Sequence, residues 1–412
     1  MKKLLFWTVL TIGLPIACTS DQPVSVKSGT WRAVLKTAGG ELPFGLDIQP
    51  NADGKTYTVF ALTANERLKM DTATVQNDSL RIPMGIFESE LVAKVTDNQL
   101  QGIWRKRRTG NDYQILPFEA QHGVNYRFAP NGQPAKASVS GKWATLFRAV
   151  DSKDTTLAVG VFDQQGDKLT GTFLTPTGDY RYLQGNVYGD SLFLSTFDGN
   201  HAYLFKAKQQ PDGSLSGTFR SGATYVENWT ARLDPNATLP NPATLTYLKP
   251  GNKTISFRFP DATGKVVSSN DERFKNKVVI LQILGSWCPN CMDETNFLSP
   301  WYQKNRQRGV EVVGLAFEKS ADLTESAPKL QRMVNRFNVD YPVVLAGTND
   351  KAEASKALPA LNRVVAFPTT IFLDKKGNVR HIHTGFSGPG TGKYYDEYVE
   401  EFNRLVDKLL AE

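Results

Sequence analysis

Cys288 and Cys291 stand three residues apart in the segment Gly285-Ser286-Trp287-Cys288-Pro289-Asn290-Cys291. Two thiols at this spacing at the start of a helix can close a small disulfide ring. Unsatisfied N–H groups and the positive helix end stabilise a thiolate at the first position, which lowers its pKa. That makes Cys288 the attacking nucleophile and Cys291, one turn inward, the resolving thiol of a redox disulfide. Pro289 and Asn290 tune thiolate stability, and with it the potential. Three other uses of the pair fit worse. A zinc site needs four ligands, and the chain has three cysteines with no second pair. Haem attachment of the Cys-x-x-Cys-His type fails because Met292 follows. A purely structural bridge across so short a loop would constrain almost nothing.

The elements that must position this pair are legible around it. Residues 278–284 form a continuous apolar strand, as expected for one buried on both faces. A helix follows Cys288 with Phe297, Leu298, Trp301 and Tyr302 on one face, and Gly309 ends it. Residues 310–317 read as a second buried strand. Leu330, Met333, Val334 and Phe337 mark an amphipathic helix. Residues 341–345 and 369–373 are further strands, and a turn at Lys375-Lys376-Gly377-Asn378 leads into a strand over 379–383. Tyr395, Tyr398, Val399, Phe402, Leu405, Val406 and Leu409 make a final helix. This alternation predicts an α/β sheet covered by helices. His381 and His383 share one face of their strand and read as surface residues rather than metal ligands.

From about residue 254 to 412 the chain resembles a thioredoxin fold of the TlpA/ResA-like thiol–disulfide oxidoreductases. The matching pieces are Trp287-Cys288-Pro289-Asn290-Cys291, Asp293-Glu294, Val310-Glu311-Val312-Val313-Gly314 and Phe367-Pro368-Thr369-Thr370-Ile371-Phe372. The resemblance implies a cis peptide at Pro368. This would bring the Phe367 backbone against Cys288, where, with Trp287 and Pro289, it could dock an extended substrate segment. It also maps Glu294 onto an acidic residue beneath the cysteines that could accept the Cys291 proton. The other reading of Glu294 is an exposed first-turn glutamate favoured by the helix dipole. Asp293 is expected to face solvent. Gly285-Ser286-Trp287 departs mildly from the Ala-x-Trp of many thioredoxins. The function implied is reduction of disulfides in extracytoplasmic proteins, with apocytochrome c among the candidate substrates and a membrane reductase as electron donor. No cofactor and no metal are implied. Two rivals stay open: an oxidase or isomerase using the same cysteines in the other direction, and an adhesion or ligand-binding lipoprotein whose N-terminal region does the work.

That N-terminal region reads as all-β, in short alternating runs punctuated by Gly and Asn-Asp or Asp-Gly turns. It is also duplicated. Ser28-Gly29-Thr30-Trp31 recurs as Ser140-Gly141-Lys142-Trp143, and Asn77-Asp78-Ser79-Leu80 as Gly189-Asp190-Ser191-Leu192, both at an offset of 112. Leu100-Gln101-Gly102-Ile103-Trp104 matches Leu215-Ser216-Gly217-Thr218-Phe219 at 115. Each copy predicts an antiparallel meander forming a barrel or sandwich. Trp31, Trp104, Trp143 and Trp229 are expected to fill β cores. His122 and His201 read as isolated, and Arg105-Lys106-Arg107-Arg108 as a solvated hairpin end.

Met1-Lys2-Lys3, an apolar run over residues 4–17 and then Cys18 resemble a bacterial lipoprotein signal, departing from it at Pro15. Simple secretion and an uncleaved anchor are the alternatives. Cys18 would carry the lipid, holding the protein in the cell envelope, facing the periplasm or exterior. The expected organisation is a signal peptide over 1–17, a tether over 18–27, β repeats over 28–123 and 140–234 joined by a connector over 124–139, a Pro- and Asn-rich linker over 235–250, and the thioredoxin-like domain over 251–412. The net charge of +7 on 412 residues is too thin to argue for a nucleic-acid partner.

Overall fold

The computed structural model describes residues 25–108, 110 and 112–412. The expected signal peptide, most of the tether and the proposed lipid site at Cys18 lie outside the described residues. None of the described helices is long and apolar enough to cross a membrane.

The N-terminal region forms two closed antiparallel barrels. In the first, strand Gly40–Pro50 pairs with Gly29–Thr37 on one side and Thr56–Thr63 on the other, so eight strands close into a ring. A ninth short strand, Glu66–Lys69, pairs only with Thr56–Thr63 and stands off the ring as a flap. The second barrel repeats this order strand for strand between Gly141 and Leu233, with Gly178–Asp179 as its flap. Closure removes the sheet edges that a meander would otherwise leave unpaired.

The duplication extends to single contacts. Trp31 and Trp143 are both essentially unexposed, and each indole N–H donates to the carbonyl four residues earlier, Lys27 and Val139 respectively. Gly102 and Gly217 mark equivalent close approaches of neighbouring strands. A Cβ there would fall 2.0 Å from the Val92 carbonyl oxygen or 1.9 Å from that of Lys206, which only glycine avoids. The barrels also pack on one another: the Phe197 ring of the second lies 4.4 Å from the Phe44 ring of the first, tilted against it.

The C-terminal region is a five-stranded sheet with helices on its faces. Its strands are β1 (Val278–Leu284), β2 (Val310–Glu318), β3 (Val343–Thr348), β4 (Thr369–Leu373) and β5 (Val379–Thr384). The helices are α1 (Pro289–Asn305), α2 (Leu323–Phe337), α3 (Lys351–Ala357) and α4 (Lys393–Ala411). Strand order is β3-β2-β1-β4-β5, with β1–β3 parallel and β4 and β5 antiparallel to their neighbours. All seven residues of central β1 are buried, six of them apolar and the seventh Gln282. This is a thioredoxin-like arrangement, and together with the barrels it gives the expected all-β plus α/β architecture.

Both barrels clamp the α/β domain. Glu88 of the first lies between Lys319 and Lys329 at 3.5 and 3.4 Å, and Arg336 on α2 pairs with Asp71 at 2.8 Å. Ile86 of the first barrel joins the apolar core of the α/β domain.

Candidate active site

Strand β1 runs straight into the cysteine loop. At Gly285 a Cβ would meet the Trp287 indole nitrogen at 2.2 Å, so glycine lets the loop fold back on itself. The loop is then held by a buried carboxylate. Glu318, at the end of β2, accepts from the Ser286 N–H at 2.7 Å and from its hydroxyl at 2.8 Å. Burial raises the Glu318 pKa, and the bonds from Ser286 oppose that rise. The Trp287 indole N–H donates to the Phe317 carbonyl at 2.8 Å, and its ring meets Phe367 edge-on at 5.5 Å.

Cys288 is the N-cap of α1: its sulfur accepts from the Cys291 N–H at 3.3 Å, and Pro289 occupies the first turn. The two cysteines are joined by a disulfide, with Cα atoms 5.2 Å apart. Cys288 is 6% exposed and Cys291 wholly buried, so only the first sulfur can meet an incoming group. The Phe367–Pro368 peptide is cis, and the Phe367 carbonyl oxygen lies 3.4 Å from the Cys288 sulfur. Trp287, Pro289 and Phe367 therefore surround the reactive sulfur with one strand terminus and one helix start.

Glu294 sits one turn beyond Cys291 on the same face of α1 and is wholly buried. It is not the exposed first-turn residue of the alternative reading. One carboxylate oxygen accepts from Thr370 at 2.5 Å and Tyr398 at 3.0 Å, and the other from Gln282 at 2.8 Å. Burial pushes its pKa up, and these three donors moderate the rise. Gln282 is the one polar residue inside β1, and that lone interruption was the sequence signal for a buried polar partner.

The raised Glu294 pKa has a testable consequence. Between the ordinary carboxyl range and its folded value, the folded chain holds a proton that the unfolded chain releases. Glu294 therefore makes stability fall as pH rises through that window, by up to ~1.4 kcal/mol per pH unit. Glu294→Gln removes this dependence, so in denaturant titrations the variant should gain on the wild type as pH rises above the ordinary carboxyl range. A stability difference that is flat across that rise would refute it.

Asp293 does not face solvent. Arg181, on the second barrel just after the flap, contacts its carboxylate directly. The same guanidinium reaches Glu66 on the first barrel's flap and, at 3.5 Å, Asp198. Burial would lower the Arg181 pKa, but Asp293, Glu66 and Asp198 hold it firmly charged. Burial pushes Asp293 up to about 7, with Arg181 pulling against it. The flap adds two more bonds to the domain: the Asn290 side chain donates to the Asp179 carbonyl at 3.3 Å, and Gly388 N–H to the Asp179 carboxylate at 2.7 Å. Gly178, at φ +145°, lies so close that a Cβ would fall 2.3 Å from Asn290.

Three further expectations need correction. Lys106 is not in a solvated hairpin end. It donates to the Asn200 carbonyl at 3.0 Å, and burial lowers its pKa to about 8, while Lys319 binds the Arg107 and Arg108 carbonyls. His201 is not isolated: it pairs with Asp198 at 3.0 Å and stacks on Tyr203. His383 is half-buried rather than fully at the surface; burial lowers it to about 4, and its ring packs 5.0 Å from Tyr398. His122 bonds the Ser28 carbonyl beside Trp31.

The chain matches the Redoxin family model over residues 249–398. Among curated proteins it is similar to the thiol-disulfide oxidoreductase ResA of Bacillus thuringiensis subsp. konkukian, 27% identical over 151 residues, which cover 37% of this chain and 77% of that protein. A second ResA, from Bacillus anthracis, is 30% identical over 129 residues, 31% of this chain and 66% of the relative. A solved thiol:disulfide interchange protein of the thioredoxin family from Chlorobium tepidum TLS aligns at 23% identity over 39% of this chain and 96% of that one, with a TM-score of 0.30. The C-terminal region is a Redoxin domain of thioredoxin fold, and the activity it supports is thiol–disulfide oxidoreduction.

Proposed function

We propose that the chain reduces disulfides in extracytoplasmic proteins, apocytochrome c being one substrate of that class, while tethered to the cell envelope by lipid on Cys18. The observation that carries this reading is the position of Cys288, the accessible sulfur of the pair, at the start of α1 and beside the Phe367 carbonyl. In the reduced protein the Cys288 thiolate attacks one sulfur of the substrate disulfide and expels the other as a thiolate. Cys291 then gives up its proton, for which Glu294 is the acceptor, and attacks the Cys288 sulfur. The substrate leaves as a dithiol and two electrons have moved to it. A membrane reductase returns them to the oxidised pair. Pro368 and Phe367, with Trp287 and Pro289, dock the substrate segment.

The reducing direction is supported by the setting of Cys291. A strong oxidant is one whose reduced form is stabilised. Here the second thiol is wholly buried above a buried carboxylate with a raised pKa, a setting that does not stabilise a Cys291 thiolate. The redox potential tests this. It should fall near the ~−270 mV of thioredoxin, and a value near the ~−120 mV of strong oxidants would reverse the direction.

A further inference from the structure

The cysteine loop opens onto a cavity of about 380 Å³ that the second barrel closes from the far side. Cys288 and Trp287 line one wall; Tyr180, Tyr203, Tyr225 and Glu227 line the other. The aromatic rings form a continuous surface, with Tyr180 and Tyr203 5.4 Å apart.

Glu227 is the unusual member. The residue is only 5% exposed, its one side-chain bond comes from the Tyr225 hydroxyl at 2.9 Å, and among the described residues no Lys, Arg or His pairs with it. Its neighbours in charge are otherwise committed: His201 on the same wall is paired with Asp198, and Arg181 with Asp293, Glu66 and Asp198. A buried carboxylate without a counter-ion is costly unless something supplies one. Burial accordingly raises its pKa, with Tyr225 opposing. A carboxylate among tyrosine faces suits a cationic side chain, which gains both a charge-assisted hydrogen bond and cation–π contact.

We infer that Glu227, with Tyr180, Tyr203 and Tyr225, is a specificity pocket for a lysine or arginine side chain adjoining the target cysteine of the substrate. This rests on the reading that Cys288 makes the exchange. An extended segment advances about 3.3 Å per residue, so a residue one or two positions from a cysteine engaged at Cys288 reaches another wall of the same cavity. The second barrel is then the part of the chain that selects among substrates, while the Redoxin domain supplies the chemistry.

Two short peptides test it, each carrying one cysteine blocked as a mixed disulfide with a chromogenic aromatic thiol, and differing only in Lys or Glu beside that cysteine. The full chain is reduced, freed of reductant and mixed with each, and release of the coloured thiolate is timed. Wild type should react about tenfold faster with the Lys peptide at low salt, which corresponds to ~1.4 kcal/mol. Glu227→Gln keeps an acceptor for Tyr225 and should bring the Lys-to-Glu ratio close to one. The ratio is internal to each protein, so a general loss of folding would not mimic the effect. If the Gln variant does not fold, decay of the wild-type ratio with added salt reads the same charge pairing. A wild-type ratio near one, or a ratio untouched by Glu227→Gln, overturns the pocket. Failure of wild type to reduce a neutral small disulfide would overturn the exchange reading itself, and the pocket with it.

Discussion

Arg181→Ala is expected to destabilise the docked protein by ~3–5 kcal/mol at pH 8, the cost of breaking a buried ion pair from one side. The guanidinium is 5% exposed and touches a carboxylate in each of the three folded units: Glu66, Asp198 and Asp293. Its removal leaves three acids facing one another with no cation between them. Proton uptake by Asp293, which burial already pushes up to about 7 in the intact protein, relieves this. Without Arg181, which pulls the Asp293 value down, that folded-state value rises further above the unfolded one, so the variant holds a proton on Asp293 that its unfolded chain releases. Its stability therefore improves as pH falls through this range, and the deficit at pH 5.5 should be smaller than at pH 8. Denaturant titrations of both proteins at the two values would show it. A difference within about 0.5 kcal/mol at pH 8 is what a surface residue would give, and it would remove Arg181 as the link between the barrels and α1.

Cys288→Ser is expected to abolish disulfide reduction, by at least ~10³-fold, while leaving the fold intact. The loss follows from chemistry: no mixed disulfide can form on oxygen, and removal of a nucleophile is not compensated by its neighbours. Retention of the fold follows from the same residue's second job. The Cys288 sulfur caps the Cys291 N–H, and serine is a better N-cap than cysteine. Circular dichroism and the denaturation midpoint should thus stay near wild type while turnover of a disulfide peptide disappears. Residual activity above a tenth of wild type would place the reacting sulfur elsewhere.

The parts of this molecule that were legible in its sequence are those written locally. The Cys-Pro-Asn-Cys segment, the apolar β1 and β4 and the amphipathic α2 and α4 each carry their signal within a few turns of chain. The duplication was legible because Trp31 and Trp143, and Gly102 and Gly217, serve identical packing roles in both barrels. What was not legible joins residues far apart. Arg181 and Asp293 are separated by more than a hundred positions, and hydrophobic periodicity reports one element's buried face, not what covers its polar one. Asp293 therefore read as solvent-facing although Arg181 of the second barrel covers much of it. Lys106 failed for the same reason, since its partner Asn200 lies on the other barrel, and His383 because the α4 residue that covers it, Tyr398, comes later in the chain. Glu318 was concealed differently, as a charged residue ending an apolar strand, where solvent is the ordinary expectation. Glu227 left no local mark, because its significance comes from the cavity it shares with Cys288.

The most direct measurement of the central claim is a trap. The Cys291→Ser chain cannot resolve a mixed disulfide, so a substrate attacked by Cys288 should stay bound to it. The reduced variant is mixed with a disulfide-containing extracytoplasmic protein, quenched with acid and analysed by mass spectrometry. The account predicts an adduct of the summed mass, released by dithiothreitol and mapped to Cys288. With Cys288 shown to be accessible to a small alkylating reagent, absence of that adduct would contradict thiol–disulfide exchange at this site.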